Sequence, residues 1–218
     1  VSGKTVAADD PTLKTICSLK QVEVATEIVE DMALATYNGR QAMVKIKGVE
    51  DNFDSLTHIR EILEGDGEYC LHAADMHYGI VGIRLAERFG MGYTFQNELK
   101  IYAPKREGQL NLANPQDGFV EDNLYSPGVL FCVKQGKYDK NYILTSIAFA
   151  RNLFAQQGMV SAVELRLKPG SDFDGVKAEM NKIGEGKFRV LDRYEQQEDT
   201  FRIMQIEKVL AYFFLTFI

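Results

Sequence analysis

Residues 22–49 constrain the chain more than any other stretch. Val22 to Tyr37 is rich in Val, Ile and Thr, which favours an extended backbone. Asn38-Gly39 follows, a pair whose tolerance of positive φ makes it the strongest short-range hairpin signal. From Gln41 to Val49 the residues Ala42, Val44 and Ile46 alternate with Met43, Lys45 and Lys47. That is the period of a half-buried strand with one face on a core. A long antiparallel hairpin is therefore expected, and the rest of the chain must cover its apolar face.

The remaining segments read as a mixture of helix and strand. Asp10-Pro11 opens a short helix to about Leu19, with proline at an early position where its missing N–H costs nothing. Residues 51–63 are a loop or short helix. Tyr78 to Val81 reads as a strand, Gly82 opens a helix and Gly90 closes it. Strands are expected at 97–103, 129–133, 141–146, 161–167 and 187–191. Helices are expected at 147–156 and, capped by Ser171-Asp172, up to about Ile183. Between Lys105 and Gly128 the composition shifts toward Asn, Asp and Gly, and Pro104, Pro115 and Pro127 account for three of the five prolines. A connection that long inside a domain tends to be functional. The fold class is α+β.

Chemistry is sparse. A net charge of −6 disfavours a general affinity for nucleic acid or anionic lipid. Cys17, Cys70 and Cys132 are odd in number and far apart, so neither a disulfide framework nor a zinc site follows, and buried free thiols are expected. Gly79-x-x-Gly82 lacks the G-x-G-x-x-G spacing of a dinucleotide turn and reads as tight strand-to-helix packing. Ser2-Gly3-Lys4-Thr5 has the end of a phosphate loop without its upstream glycine and strand. His72, Asp75 and His77 match no metal-ligand spacing and read as ordinary polar histidines. No catalytic residue, cofactor site or metal site is expected.

The last element, from about Arg193, contains no Pro or Gly. It is amphipathic at first, with Glu195, Glu198, Asp199 and Arg202 on one side and Phe201, Met204 and Val209 toward another. After Lys208 it is apolar all round. The ten residues of that run reach about 15 Å as a helix, half of a bilayer's hydrocarbon core. The run reads as the opening turns of a membrane helix, with Tyr212 at headgroup level, and a C-terminal core helix is the competing reading. Val1-Ser2-Gly3-Lys4 has no signal-peptide character and looks like an internal start.

Six segments occur in a familiar order: KIKGVEDNF (45–53), GIVGIRLAERFGM (79–91), ELKIYAPKR (98–106), SPGVLFCVKQGKYDKNYILTSIAFARNLF (126–154), VSAVELRLKPG (160–170) and RYEQQEDTFRIMQIEK (193–208). Together they resemble the extracytoplasmic domain of lipoprotein-releasing ABC transporter permeases, in the wider class of macrolide-export and cell-division permeases. APKR and the YEQ-x-x-D-x-F run look more like the Bacteroidetes branch.

The resemblance implies an α/β lobe from residues 1–96 plus 160–195, an inserted β-rich lobe at 97–159 with a long loop at 105–128, and a C-terminal helix at 196–218 leading into a truncated transmembrane helix. It implies a transport component without an active site, in the bacterial inner membrane with this domain in the periplasm. ATP hydrolysis would belong to a separate cytoplasmic ATPase. A second permease copy or paralogue, lipoprotein cargo and a periplasmic carrier would be the other partners. In relatives that hand cargo to a carrier, a proline-bearing hairpin hooks it. Pro104, Lys105, Arg106, Pro115 and Phe119 stand in the corresponding excursion, without the P-M-G-R run of the best-known hook. The alternative is a division-type permease domain that recruits a cell-wall hydrolase or its activator.

Overall fold

The hairpin expected from residues 22–49 is the spine of the molecule. In the computed structural model, which describes residues 5–105, 118–192 and 195, strand β2 (Val22–Tyr37) turns into β3 (Arg40–Val49) at Asn38 (φ 47°) and Gly39 (φ 78°). Before the hairpin lie β1 (Val6–Ala7) and α1 (Pro11–Cys17). The Asp10 carboxylate accepts from the Thr12 and Leu13 amides and so caps α1. After it come α2 (Phe53–Thr57), a 3-10 turn (Ile59–Ile62), β4 (Leu63–Gly65), β5 (His72–Ala73), β6 (Met76–His77), β7 (Ile80–Gly82) and α3 (Ile83–Phe89). The chain continues through β8 (Leu99–Pro104), β9 (Phe119–Leu124), β10 (Val129–Phe131), α4 (Gly136–Asn141), β11 (Tyr142–Ser146), α5 (Ile147–Leu153), β12 (Met159–Val160), β13 (Ala162–Leu167) and α6 (Phe173–Gly184).

One mixed sheet runs β4-β10-β7-β11-β3-β2-β8-β9, with β13 also on β2. Only β10 on β7 and β11 on β3 are parallel pairs. Ile28 pairs with both Val49 and Ala162, and Leu34 with both Met43 and Tyr102. Strands β13 and β8 therefore share the edge of β2 that faces away from β3, one at each end. The architecture is α+β, as the sequence implies. Strands β8 to β11, from the segment expected to form an inserted lobe, belong to the sheet of β2 and β3. The chain divides after Pro169 into two compact units, Val1–Pro169 and Gly170–Ile218.

The two faces of the sheet differ. One carries Val29, Ala33, Ala35, Val44, Ile46, Ile101 and Ile143, and is closed by Leu85 and Phe89 of α3 and by Phe149 and Leu153 of α5. Each buried Val, Leu, Ile or Phe side chain here contributes about 1.5–3 kcal/mol. Helix α5 lies very close to β3: a Cβ on Gly48 would sit 2.3 Å from the Ala150 Cβ. The opposite face holds a second core at the β7, β10 and β11 end, where Ile80, Val129, Phe131 and Leu144 meet Phe53, Ile59 and Leu71 from residues 53–71.

Two expectations are corrected, and one helix is added. Residues 187–191 form no strand: α6 ends at left-handed Glu185 and Gly186, and the described part of that unit offers no strand edge to pair with. Helix α4 was unanticipated, because its polar run GKYDKN has no helical periodicity to read. The cysteines are unpaired thiols, as expected, but half-buried rather than buried. The helix expected from Arg193 to Ile218 lies, apart from Glu195, outside the described residues. In the second unit, Lys177 bridges Asp192 (3.1 Å) and Glu195 (2.6 Å), and this contact holds the Glu195 carboxyl below its ordinary value.

Candidate functional site

The excursion 105–128 contains an element that its composition hides. Residues 119–124 form β9, paired antiparallel with β8 from Leu99↔Leu124 to Pro104↔Phe119. The ladder closes where the Lys105 amide donates to the Gly118 carbonyl at 2.8 Å. Pro104 is tolerated because it ends its strand, where a missing donor costs little. Of the five residues singled out from the sequence, Pro104, Lys105 and Phe119 meet at the base of this hairpin. Phe119 is 43% exposed, and Pro104 and Lys105 are exposed. Arg106 and Pro115 lie outside the described residues.

These three residues border a larger surface. Strand alternation places Met32 and Leu34 of β2, Met43 of β3, Tyr102 of β8 and Phe119 of β9 on the sheet face opposite α3 and α5. Leu34 is flanked by Met43 and Tyr102 in register. At this end of the sheet no described residue covers the face: Met32 is 44% and Met43 56% exposed. Its charges are paired off. Lys45 meets Glu30, and Lys100 meets Glu121 at 3.1 Å, which raises the Lys100 ammonium pKa. Partial desolvation, then the Glu121 carboxylate, raises the Tyr102 hydroxyl. The result is an apolar patch inside a neutralised rim, suited to contact rather than catalysis. Sequence reading missed Met32, Leu34, Met43 and Tyr102 as a group. The available signal was that Met43 occupies the polar phase of its strand.

His72, Asp75 and His77 are not brought together into a common site. His72 and His77 face each other across the β5–β6 pair, but His72 Nε2 lies 3.1 Å from Asp51 Oδ1 and His77 Nδ1 lies 3.1 Å from Ser146 Oγ. Asp75 joins neither. Among the described residues no three His, Cys, Asp or Glu side chains are grouped as metal ligands. Gly79 and Gly82 serve packing, since a Cβ on Gly82 would lie 2.6 Å from the Asp139 carbonyl oxygen. Among the described residues no helix is long and apolar enough to cross a membrane.

Neither a protein-family profile nor a curated protein sequence matches the chain. Solved structures do. The extracellular domain of the noncanonic ABC-type transporter YknZ from Gram-positive bacteria superposes with a TM-score of 0.53 at 10% identity, covering 84% of each chain. The periplasmic region of MacB from Actinobacillus actinomycetemcomitans gives 0.51 at 6% identity, over 79% of this chain and 70% of that one. The chain shares their fold. At such identities the likeness resides in backbone architecture alone.

Proposed function

We propose that this chain is the periplasmic domain of an ABC transporter permease of the lipoprotein-releasing type. In this reading it takes ATP-driven motion from membrane helices and turns it into release or handover of a lipidated cargo. A cytoplasmic ATPase supplies the motion, and a second permease copy or paralogue completes the transporter in the inner membrane. The shared fold and the ordered motifs at 45–53, 79–91, 98–106, 126–154 and 160–170 support the permease assignment. The observation that carries the functional part is the bare apolar face running from Met43 to Phe119 at the base of the β8–β9 hairpin. Exposed patches of this kind with a polar rim mark contact sites.

A photoreactive residue placed at Met43 or at Phe119 of the full-length permease, in cells, tests the reading. The expected adduct is an acylated lipoprotein or a soluble periplasmic carrier, with a stronger yield when ATP hydrolysis proceeds. A cell-wall hydrolase activator in the adduct would replace this reading with the division-type one. Labelling of neither class at these two positions, with labelling elsewhere on the domain, would remove the contact role from this face.

A further inference from the structure

Several cations of this acidic chain meet a carboxylate. Lys45 pairs with Glu30, Lys47 with Glu164, Arg60 with Asp54, Arg151 with Glu27 and Arg166 with Glu23. One cleft gathers three cations that do not. Between α3 and α4 lies a recess of about 330 Å³ lined by Arg84, Glu87, Arg88, Lys140 and Asn141. Arg84 and Arg88 are one helical turn apart and so share a face of α3. Lys140 and Asn141 supply the other wall from the end of α4. Among the described residues no carboxylate lies within ion-pair distance of Arg84, Arg88 or Lys140. The lining thus carries three cations against the single Glu87 carboxylate, a net charge of +2.

The walls are held by the fold. The start of α3 is pressed against the α4 backbone at Gly82, where a Cβ would meet the Asp139 carbonyl oxygen at 2.6 Å. At the other end of α3, Arg40 Nη1 donates to the Arg88 carbonyl at 3.1 Å, adding a further positive charge beside the helix. Repulsion among these cations is offset when an anion enters.

We propose that this cleft binds a phosphate-bearing group. Two guanidinium forks and an ammonium match the oxygens of a tetrahedral anion, and the Asn141 amide can add a neutral donor. A phosphate monoester carries roughly −1.5 to −2 charges near neutral pH, which matches the lining better than a single carboxylate does. The volume is at the lower end for small-ligand sites, about 300–1,000 Å³, so the occupant is of headgroup size. The shared chemistry fits a soluble phosphate and the phosphate of an anionic lipid alike. This site stands independently of the permease reading.

The 218-residue chain titrated with inorganic phosphate tests the proposal, followed through backbone amide shifts in 83–90 and 136–142. Saturable shifts confined to those residues are expected, with a Kd on the order of 1 mM. Arg84→Gln with Arg88→Gln should weaken binding at least ~10-fold, and Glu87→Gln should tighten it about threefold, since one repulsive charge is removed. Both variants change exposed side chains, and circular dichroism melts confirm that they fold. Shifts that do not saturate, or that the double substitution leaves unchanged, would overturn the site. Flotation with vesicles of phosphatidylglycerol, compared with phosphatidylcholine alone, separates the two sources. Flotation that depends on Arg84 and Arg88 assigns a lipid headgroup, and saturable phosphate binding without that dependence assigns a soluble phosphate.

Discussion

The two ends of one sheet face follow opposite rules. At the β7, β10 and β11 end, residues 53–71 fold over the strands and bury Ile80, Phe131 and Leu144. At the β2, β3, β8 and β9 end the same face shows Met32, Met43 and Phe119 to solvent, although the other side of those strands is as well packed as any part of the molecule. Strand propensity and alternation are alike at both ends. What differs is whether the chain spends a connection on covering them. The side chains of Met32, Met43 and Phe119 therefore gain little from burial within the described residues.

The sharpest way to break this comparison is to truncate side chains at both ends. Phe131→Ala should cost about 3–5 kcal/mol in urea unfolding, because it leaves a cavity in a closed core. Phe119→Ala should stay within about 0.5 kcal/mol, as surface changes do. A large loss at Phe119 would mean that its end of the face is covered after all. Next in size is Gly82→Ala, which forces a methyl group against the Asp139 backbone. A loss of roughly 1–3 kcal/mol is expected from such overpacking, read as a lower urea midpoint at unchanged slope.

The covered end should also show itself in alkali. Burial, reinforced by the Glu30 carboxylate and then Tyr138 and Glu164, raises the Tyr142 hydroxyl above its ordinary value near 10. The folded state therefore keeps this proton longer than the unfolded state does. Its share of stability is intact below about pH 10 and is lost as pH rises above that value toward the folded-state pKa. Thermal melts between about pH 9 and 11 should show a smaller alkaline loss in Tyr142→Phe than in the parent chain. The smallest effect belongs to Tyr69, whose hydroxyl oxygen is buried without a hydrogen-bond partner among the described residues. Tyr69→Phe removes that orphan and keeps the ring under Arg60, so stability should be unchanged or higher by up to about 1 kcal/mol.

Much of this arrangement is legible in the amino-acid sequence, for local reasons. Asn38-Gly39 specifies its own turn, and the alternation from Ala42 to Lys47 specifies which face of β3 is buried. Gly82 and Gly90 bracket α3 because a close approach and a left-handed residue are each needed there. The strand β9 was hidden by its flanks: FVEDNL is half polar, since it is an edge strand with only one face on the core. The bare face was hidden for another reason. It is assembled from four strands whose order, β3-β2-β8-β9, is a tertiary fact that no local pattern encodes. The cleft between α3 and α4 was illegible for the same reason, with the added obstacle that α4 has no apolar period.

The shared edge of β2 has a mechanical consequence. At about 3.3 Å per residue its 16 residues form a rod some 50 Å long, grasped by β13 near one end and by β8 near the other. Tension applied along the strand axis through β13 is carried to β8 in shear, so the hydrogen bonds of each ladder are loaded together instead of being unzipped one at a time. Such a rod conveys a pull or a thrust over its whole length with little stretch. The Pro169 end of β13 and the hairpin that carries Phe119 are thus joined through two antiparallel ladders on one strand.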